Sequence, residues 1–189
     1  MKTILLLLAA TLAPAYQVDT MELRPSPGNR FALEVDKTGL LRGKTHIFVF
    51  GKYSGAAEYN SQKPELSKVH FEIDAKSIVC EDTWVSDKDK VKIMKAAQED
   101  MLAADKYPQI TFVSNHVTAK GPGQFEVTGT LSIRGMVQPA TVTVTRNADA
   151  YDGASVVNMK DYGLKPPTAA LGAIGTKEMM RVKFHLAAR

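Results

Sequence analysis

Four histidines, one cysteine and the adjacent carboxylates that follow it are the groups with which this chain could do chemistry. They are His46, His70, His116, His185, Cys80 and Glu81-Asp82. The histidines and the cysteine fall in no HExxH or CxxC spacing, so no metal site is read from them. There is no GxSxG elbow, no Cys–His pair and no glycine loop of the kind that cradles phosphates. A lone cysteine cannot close an intrachain disulfide, and Cys80, behind Ile78-Val79, reads as a small buried hydrophobe. Glu81 and Asp82 read as a solvated loop pair. His46 stands apart. In Lys44-Thr45-His46-Ile47-Phe48-Val49-Phe50 it shares a strand face with Phe48 and Phe50. An imidazole set among aromatics could hydrogen-bond a ligand head group or ligate a haem iron. The plainer reading is a core histidine satisfied by a neighbour. No catalytic residue, metal or cofactor is assigned, and the chain is read as a binding protein rather than an enzyme.

The elements that must position these groups are strands. Gln124–Arg134 alternates strictly, with Phe125, Val127, Gly129, Leu131 and Ile133 on one face and Glu126, Thr128, Thr130 and Ser132 on the other. Such period-two patterning marks half-buried strands with one wet face. It recurs at Phe31, Leu33 and Val35, and at Val69, Phe71 and Ile73. Ile110 and Phe112, Val142 and Val144, and finally Met180, Val182, Phe184 and Leu186 repeat it. By that parity His70 and His185 point outward. Gly39, Gly43, Gly121-Pro122-Gly123, Pro139 and Asp152-Gly153 punctuate the runs. Many short amphipathic strands predict an all-β, antiparallel barrel or sandwich. One segment departs from this. Asp87–Lys106 carries Val91, Met94, Met101 and Leu102 at helical spacing, with Ser86 or Asp87 as N-cap and Tyr107-Pro108 as its stop. This helix is expected to pack on the barrel as a plug or lid. Ile47 and Val49 make the His46 strand apolar on both faces, so its outer face is expected to be covered, with the helix as a candidate. The Pro- and Gly-rich stretch 164–176 is expected to be a mobile loop, a flap over a barrel mouth or a plain connection.

The first residues set the compartment. Lys2, the apolar run Ile4–Leu8 with its alanine-rich continuation, and Ala13-Pro14-Ala15 form the three regions of a secretory signal. The apolar run is far shorter than the roughly 20 residues a membrane span requires. Residues 1–15 are therefore expected to be a cleaved signal peptide and residues 16–189 a single domain, exported to a periplasm or secreted, with no transmembrane segment. The 189-residue chain has a formal net charge of +4, but its basic residues are dispersed, which argues against nucleic acid as a partner.

Several of these segments resemble the YceI-like family. Tyr107-Pro108-Gln109-Ile110-Thr111-Phe112, just after the helix, is similar to the family's "yPxItF" signature. The run from Phe125 through Gly135, followed by Pro139 and Val142, is similar to its paired-strand motif. Tyr16–Asp19 and Asp161-Tyr162-Gly163-Leu164 fit as well. The chain departs from the pattern at Ser26–Phe31 and at Lys37-Thr38-Gly39, where the family carries a His-Ser pair and His-x-Gly. It departs again at Met101–Lys106, before the "yP" motif. The resemblance implies an eight-stranded, lipocalin-like antiparallel barrel with one packed helix at about 87–106. It also implies an elongated apolar cavity for a polyisoprenoid or other long-chain lipid.

On that reading the ligand-contacting residues are Phe31, Leu33, Val35, His46, Phe48, Phe50, Phe71, Ile73, Ile110, Phe112, Phe125, Val127, Leu131, Ile133, Val182 and Phe184. Two other functions stay open. One is a haem or small-molecule protein built on His46. The other is a secreted envelope-stress or partner-binding protein whose barrel is filled by its own side chains. The oligomeric state is not set by the sequence, a homodimer being one option.

Overall fold

The structure, a computed structural model, describes residues 17–148 and 150–187, so the expected signal segment lies outside the described residues. The chain forms β1 (Val18–Leu23), β2 (Arg30–Gly39), β3 (Thr45–Phe50), β4 (Tyr53–Asn60), β5 (Lys68–Asp74) and β6 (Ile78–Cys80). Helix α1 (Asp87–Ala96) follows. Then come β7 (Gln109–Gly121), β8 (Gln124–Ile133), β9 (Met136–Asn147), β10 (Ala150–Asn158), β11 (Thr168–Ala169) and β12 (Ile174–Ala187). Among the described residues all ladders are antiparallel, in one 12-stranded sheet.

Twelve strands rather than eight reflects bending at one corner of the barrel. β2 pairs with β3 while β1 pairs with β4, and β4 pairs with β5 while β3 pairs with β6. Three consecutive staves, β1–β2, β3–β4 and β5–β6, are thus each broken at one level. With β7, β8, β9, β10 and β12 they make eight staves, and β12 closes onto β2. The break has local causes. Gly51 and Lys52 interrupt β3–β4, with the Gly51 amide donating to Ser77 O at 3.1 Å and the Asp74 amide to Lys52 O at 3.0 Å. Across from them the turn Ala75–Ser77 is capped by Asp74 Oδ1, which accepts from the Lys76 amide at 2.9 Å. Closing the sheet encloses a lumen.

Bulges correct the parity that simple alternation predicts. In β7 the register with β8 shifts between Ser114 and His116. Phe112 and Val117, five positions apart, therefore both point inward.

The helix is shorter than expected. Ser86 Oγ accepts from the Asp89 amide at 3.2 Å and donates to Asp89 Oδ2 at 2.8 Å, fixing the N-terminus. The α-helix ends at Ala96 and one π turn, Ala97–Met101, follows. Ala103 then adopts φ 46°, and Arg134 Nη1 donates to the carbonyls of Asp100 and Met101 at 3.2 Å each. The helical propensity of Ala103 and Ala104 is overridden because the chain must turn here to deliver Pro108 to β7, and Ala104 is buried in doing so. The helix packs on β6 and at the barrel end, and Ile47 and Val49 stay half-buried on the outer face of β3. The stretch 164–176 is tied down by the β11–β12 ladder, Thr168 to Gly175 and Ala169 to Ile174.

An ionic clasp locks the closing seam. Arg181 on β12 holds Asp36 with two nitrogens, Nη1 at 2.8 Å and Nη2 at 2.7 Å, and reaches Glu34 through Nε at 3.1 Å. Lys183 and Lys177 add bonds to Glu34 at 2.8 Å and to Asp36 at 3.1 Å. The Arg181 guanidinium beside Asp36 holds its carboxyl well below the ordinary value of 3.8. Lys183 and Arg181 lower Glu34 in the same sense. A carboxylate depressed in the folded state stabilises fully above its unfolded pKa and loses that contribution as acid protonates it. Stability should therefore be pH-independent from this source near neutrality and fall below about pH 4. The clasp is partly exposed, so Arg181→Met should cost about 1 kcal/mol at neutral pH and less in acid, as read by urea unfolding at both pH values.

Candidate functional site

The barrel encloses a cavity of about 1070 Å³. Its wall is laid down by alternation. β2 contributes Phe31, Leu33 and Val35, and β3 contributes His46, Phe48 and Phe50. Phe71 and Ile73 come from β5, and Ile110 and Phe112 from β7. Phe125, Val127, Leu131 and Ile133 come from β8, and Val182 and Phe184 from β12. These residues line one space, as do Val142 and Val144 of β9. Alternation missed the wall supplied by non-strand elements. Ile93 and Ala96 of α1, Ala97, Met101 and Leu102 beyond it, and Trp84 before it all line the cavity.

The lumen is narrowed by aromatic packing. Phe31 lies 5.1 Å from Phe71 and 6.1 Å from Phe184, centroid to centroid, the latter pair stacked with 3° between planes. Phe184 sits directly over Gly153, where a Cβ would fall 2.0 Å from its ring. Phe112 covers Gly129 in the same way, at 2.8 Å. These two glycines let large rings lie flat on the wall instead of filling the lumen.

A polar pole interrupts the apolar wall. His46 and Asp82 are both buried and joined through Nδ1 and Oδ2, while the Ile47 amide donates to Asp82 Oδ1 at 2.7 Å. Asp82 is only 1% exposed, which overturns the expectation of a solvated acidic pair. The reason is that the chain, leaving β6, bonds the Glu81 amide to Ile47 O at 2.9 Å. This turns Glu81 out toward Arg30 at 2.6 Å and Asp82 inward. A carboxylate accepting from Nδ1 fixes the imidazole tautomer and leaves Nε2 without a partner among the described residues. Trp84 packs on the imidazole at 5.0 Å between ring centroids and donates through Nε1 to Thr45 O at 3.2 Å.

Cys80 lies behind this pair, and ligand-type atoms of His46, Cys80 and Asp82 fall within 4.8 Å of one another. Sequence spacing had pointed to no such group. Nothing in the trio calls for a cation, since Asp82 already accepts two hydrogen bonds and burial pushes the Cys80 thiol up, away from thiolate. Lys37, also unforeseen, is buried and lines the cavity on the strand next to His46. Burial lowers its pKa, and the charge of Asp82 partly offsets that effect. His70 and His185 are exposed on the outer face, where they pair with Glu72 and Asp152.

The cavity reaches the surface at both ends. Exposed Ser86, Asp89 and Lys92 line it near α1, and exposed Asp19, Glu58 and Arg146 line it at the other. At that second rim Tyr59 meets Phe125 edge-on at 5.5 Å, and Arg146 lies over Tyr59 and Tyr151 at 5.8 and 5.9 Å. Among the described residues no helix is long and apolar enough to cross a membrane.

A model of the YceI-like domain matches residues 25–188. A UPF0312 protein of Pseudomonas savastanoi pv. phaseolicola is 30% identical over 128 residues, 62% of this chain and 63% of that protein. A UPF0312 protein of Pseudomonas putida is 29% identical over 130 residues, 64% of each. The chain thus spans somewhat under two thirds of the length of these curated relatives. Among solved structures, BcnA of Burkholderia cenocepacia is similar in fold, with TM-score 0.68 and 23% identity over 85% of this chain and 96% of that one. The Campylobacter jejuni YCEI protein follows at TM-score 0.61 and 16% identity, covering 75% and 82%.

Proposed function

The chain belongs to the YceI-like domain family, and on that premise we propose that it is an exported, non-catalytic carrier of one long-chain apolar ligand, a polyisoprenoid or related lipid, held along the barrel. The observation that carries this reading is the cavity of about 1070 Å³ walled by Phe, Leu, Ile and Val side chains from most staves. Native interiors are packed to near-crystalline density, and even an engineered void of roughly 150 Å³ is a large defect. A space several times larger, kept open by rings lying flat over Gly129 and Gly153, supports a binding role and argues against a barrel filled by its own side chains.

Burial of a chain supplies the affinity. Each methylene moved out of water contributes about 0.8 kcal/mol, so a five-carbon isoprene unit gives roughly 3–4 kcal/mol gross, and a few units offset the cost of association. Such binding needs no reactive group. The His46–Asp82 pair has no hydroxyl or thiol nucleophile bonded to Nε2 among the described residues, so it supports positioning rather than covalent chemistry.

The test is a titration of delipidated protein with prenyl or acyl chains of increasing length. Affinity should rise by up to roughly fourfold per added methylene and then level off once the lumen is full. Affinity independent of chain length would refute the proposal. A Soret band on adding haem, lost in His46→Ala, would favour a haem protein instead.

A further inference from the structure

A buried ammonium in an apolar cavity is costly unless something compensates it. Lys37 is 8% exposed, lines the cavity, and makes no side-chain hydrogen bond or ion pair among the described residues. The nearby carboxylate, Asp82, is committed to His46 Nδ1 and to the Ile47 amide. One strand over stands His46, also 8% exposed and lining the same cavity, with Nε2 unpartnered. Val35 pairs with His46, and Lys37 is two residues along the same face of β2, so Lys37 and His46 are diagonal neighbours on the inner wall. Each leaves polar capacity unused in a wall that is otherwise largely apolar.

We propose that Lys37 and the free Nε2 of His46 form a seat for an acidic head group, carboxylate or phosphate, so that the ligand of this cavity is an anionic single-chain amphiphile. The inference rests on the lipid-carrier reading and specifies which end of the ligand goes where. Lys37 offers up to three N–H donors to an anionic oxygen. His46 Nε2 accepts an acidic O–H when the ring is neutral and donates when it is protonated, and Asp82 holds the ring in place for both. The chain then runs from this pole, beside Trp84, along Phe48, Phe112 and Leu131 toward the Arg146 rim.

The experiment compares a long-chain fatty acid, the alkyl phosphate of the same chain and the matching fatty alcohol, each displacing a neutral fluorescent lipid from the delipidated protein. The wild type should bind the acid or the phosphate at least about tenfold tighter than the alcohol, and whichever of the two is preferred identifies the source of the anion. In Lys37→Met that gap should close, and in Lys37→Arg it should persist. Lys37→Met removes an uncompensated charge, so it should fold, and thermal unfolding checks this directly. If the wild type binds all three chains equally, or if Lys37→Met keeps the preference, there is no seat. If no chain binds, including the alcohol, the carrier reading itself fails and the seat with it.

Discussion

Phe112→Glu should abolish uptake of long-chain lipid, whereas Val113→Glu, one residue along the same strand, should leave it intact. Phe112 lines the cavity and lies over Gly129, while Val113 is 46% exposed on the outer face. A carboxylate carried into the lumen would have to stay hydrated or be neutralised, and either outcome opposes an apolar chain at that point. An uncompensated charge in such a setting costs several kcal/mol. About 3 kcal/mol corresponds to a loss of roughly a hundredfold or more in affinity. The same carboxylate at position 113 meets water. Both variants are read by lipid displacement after circular dichroism has confirmed the barrel. Equal uptake by two folded variants would mean that the lumen does not hold the lipid.

The second large effect falls on stability. Asp82→Ala removes the acceptor for two donors at once, His46 Nδ1–H and the Ile47 amide. It also removes the negative charge that partly offsets the burial of Lys37. A buried donor left without a partner costs about 1–3 kcal/mol, so a destabilisation of about 3 kcal/mol is expected. For a domain of this length that lowers Tm by roughly 6–12 °C. Glu81→Ala, beside it in sequence, deletes only a partly exposed ion pair with Arg30 and should change stability by less than about 0.5 kcal/mol. Asp82→Asn, which keeps one acceptor oxygen, should fall between the two. Equal effects of the alanine substitutions at 81 and 82 would show that the buried pair is not a structural link.

How far the chain was legible follows from these contrasts. Alternation is a local property, and it places Phe31, Phe71, Phe125 and Val182 on the inner wall without knowledge of the rest of the fold. Eight strands is what the YceI-like resemblance implies, and the three bent staves were hidden because breaks at Gly51 and Asp74 depend on neighbouring strands that meet only in the folded barrel. The helix end was misplaced for a related reason. Ala103 and Ala104 favour helix in isolation, and the turn that excludes them is held by Arg134, a residue far along the chain.

The polar pole was half visible. His46 stood out by sharing a face with Phe48 and Phe50. Asp82 and Lys37 did not, because an acidic residue after a strand and a lysine near a strand end usually face water. The available signal at Lys37 was its parity with Phe31, Leu33 and Val35, which already placed it on the inner face.

The most direct test of the carrier reading is native mass spectrometry of protein purified without detergent from the cell that makes it, followed by organic extraction. The expected result is a discrete added mass that solvent releases, with a long hydrocarbon chain in the extract and an acidic head if Lys37 and His46 form the proposed seat. A bare polypeptide mass, from protein that also takes up no long-chain lipid in vitro, would contradict it.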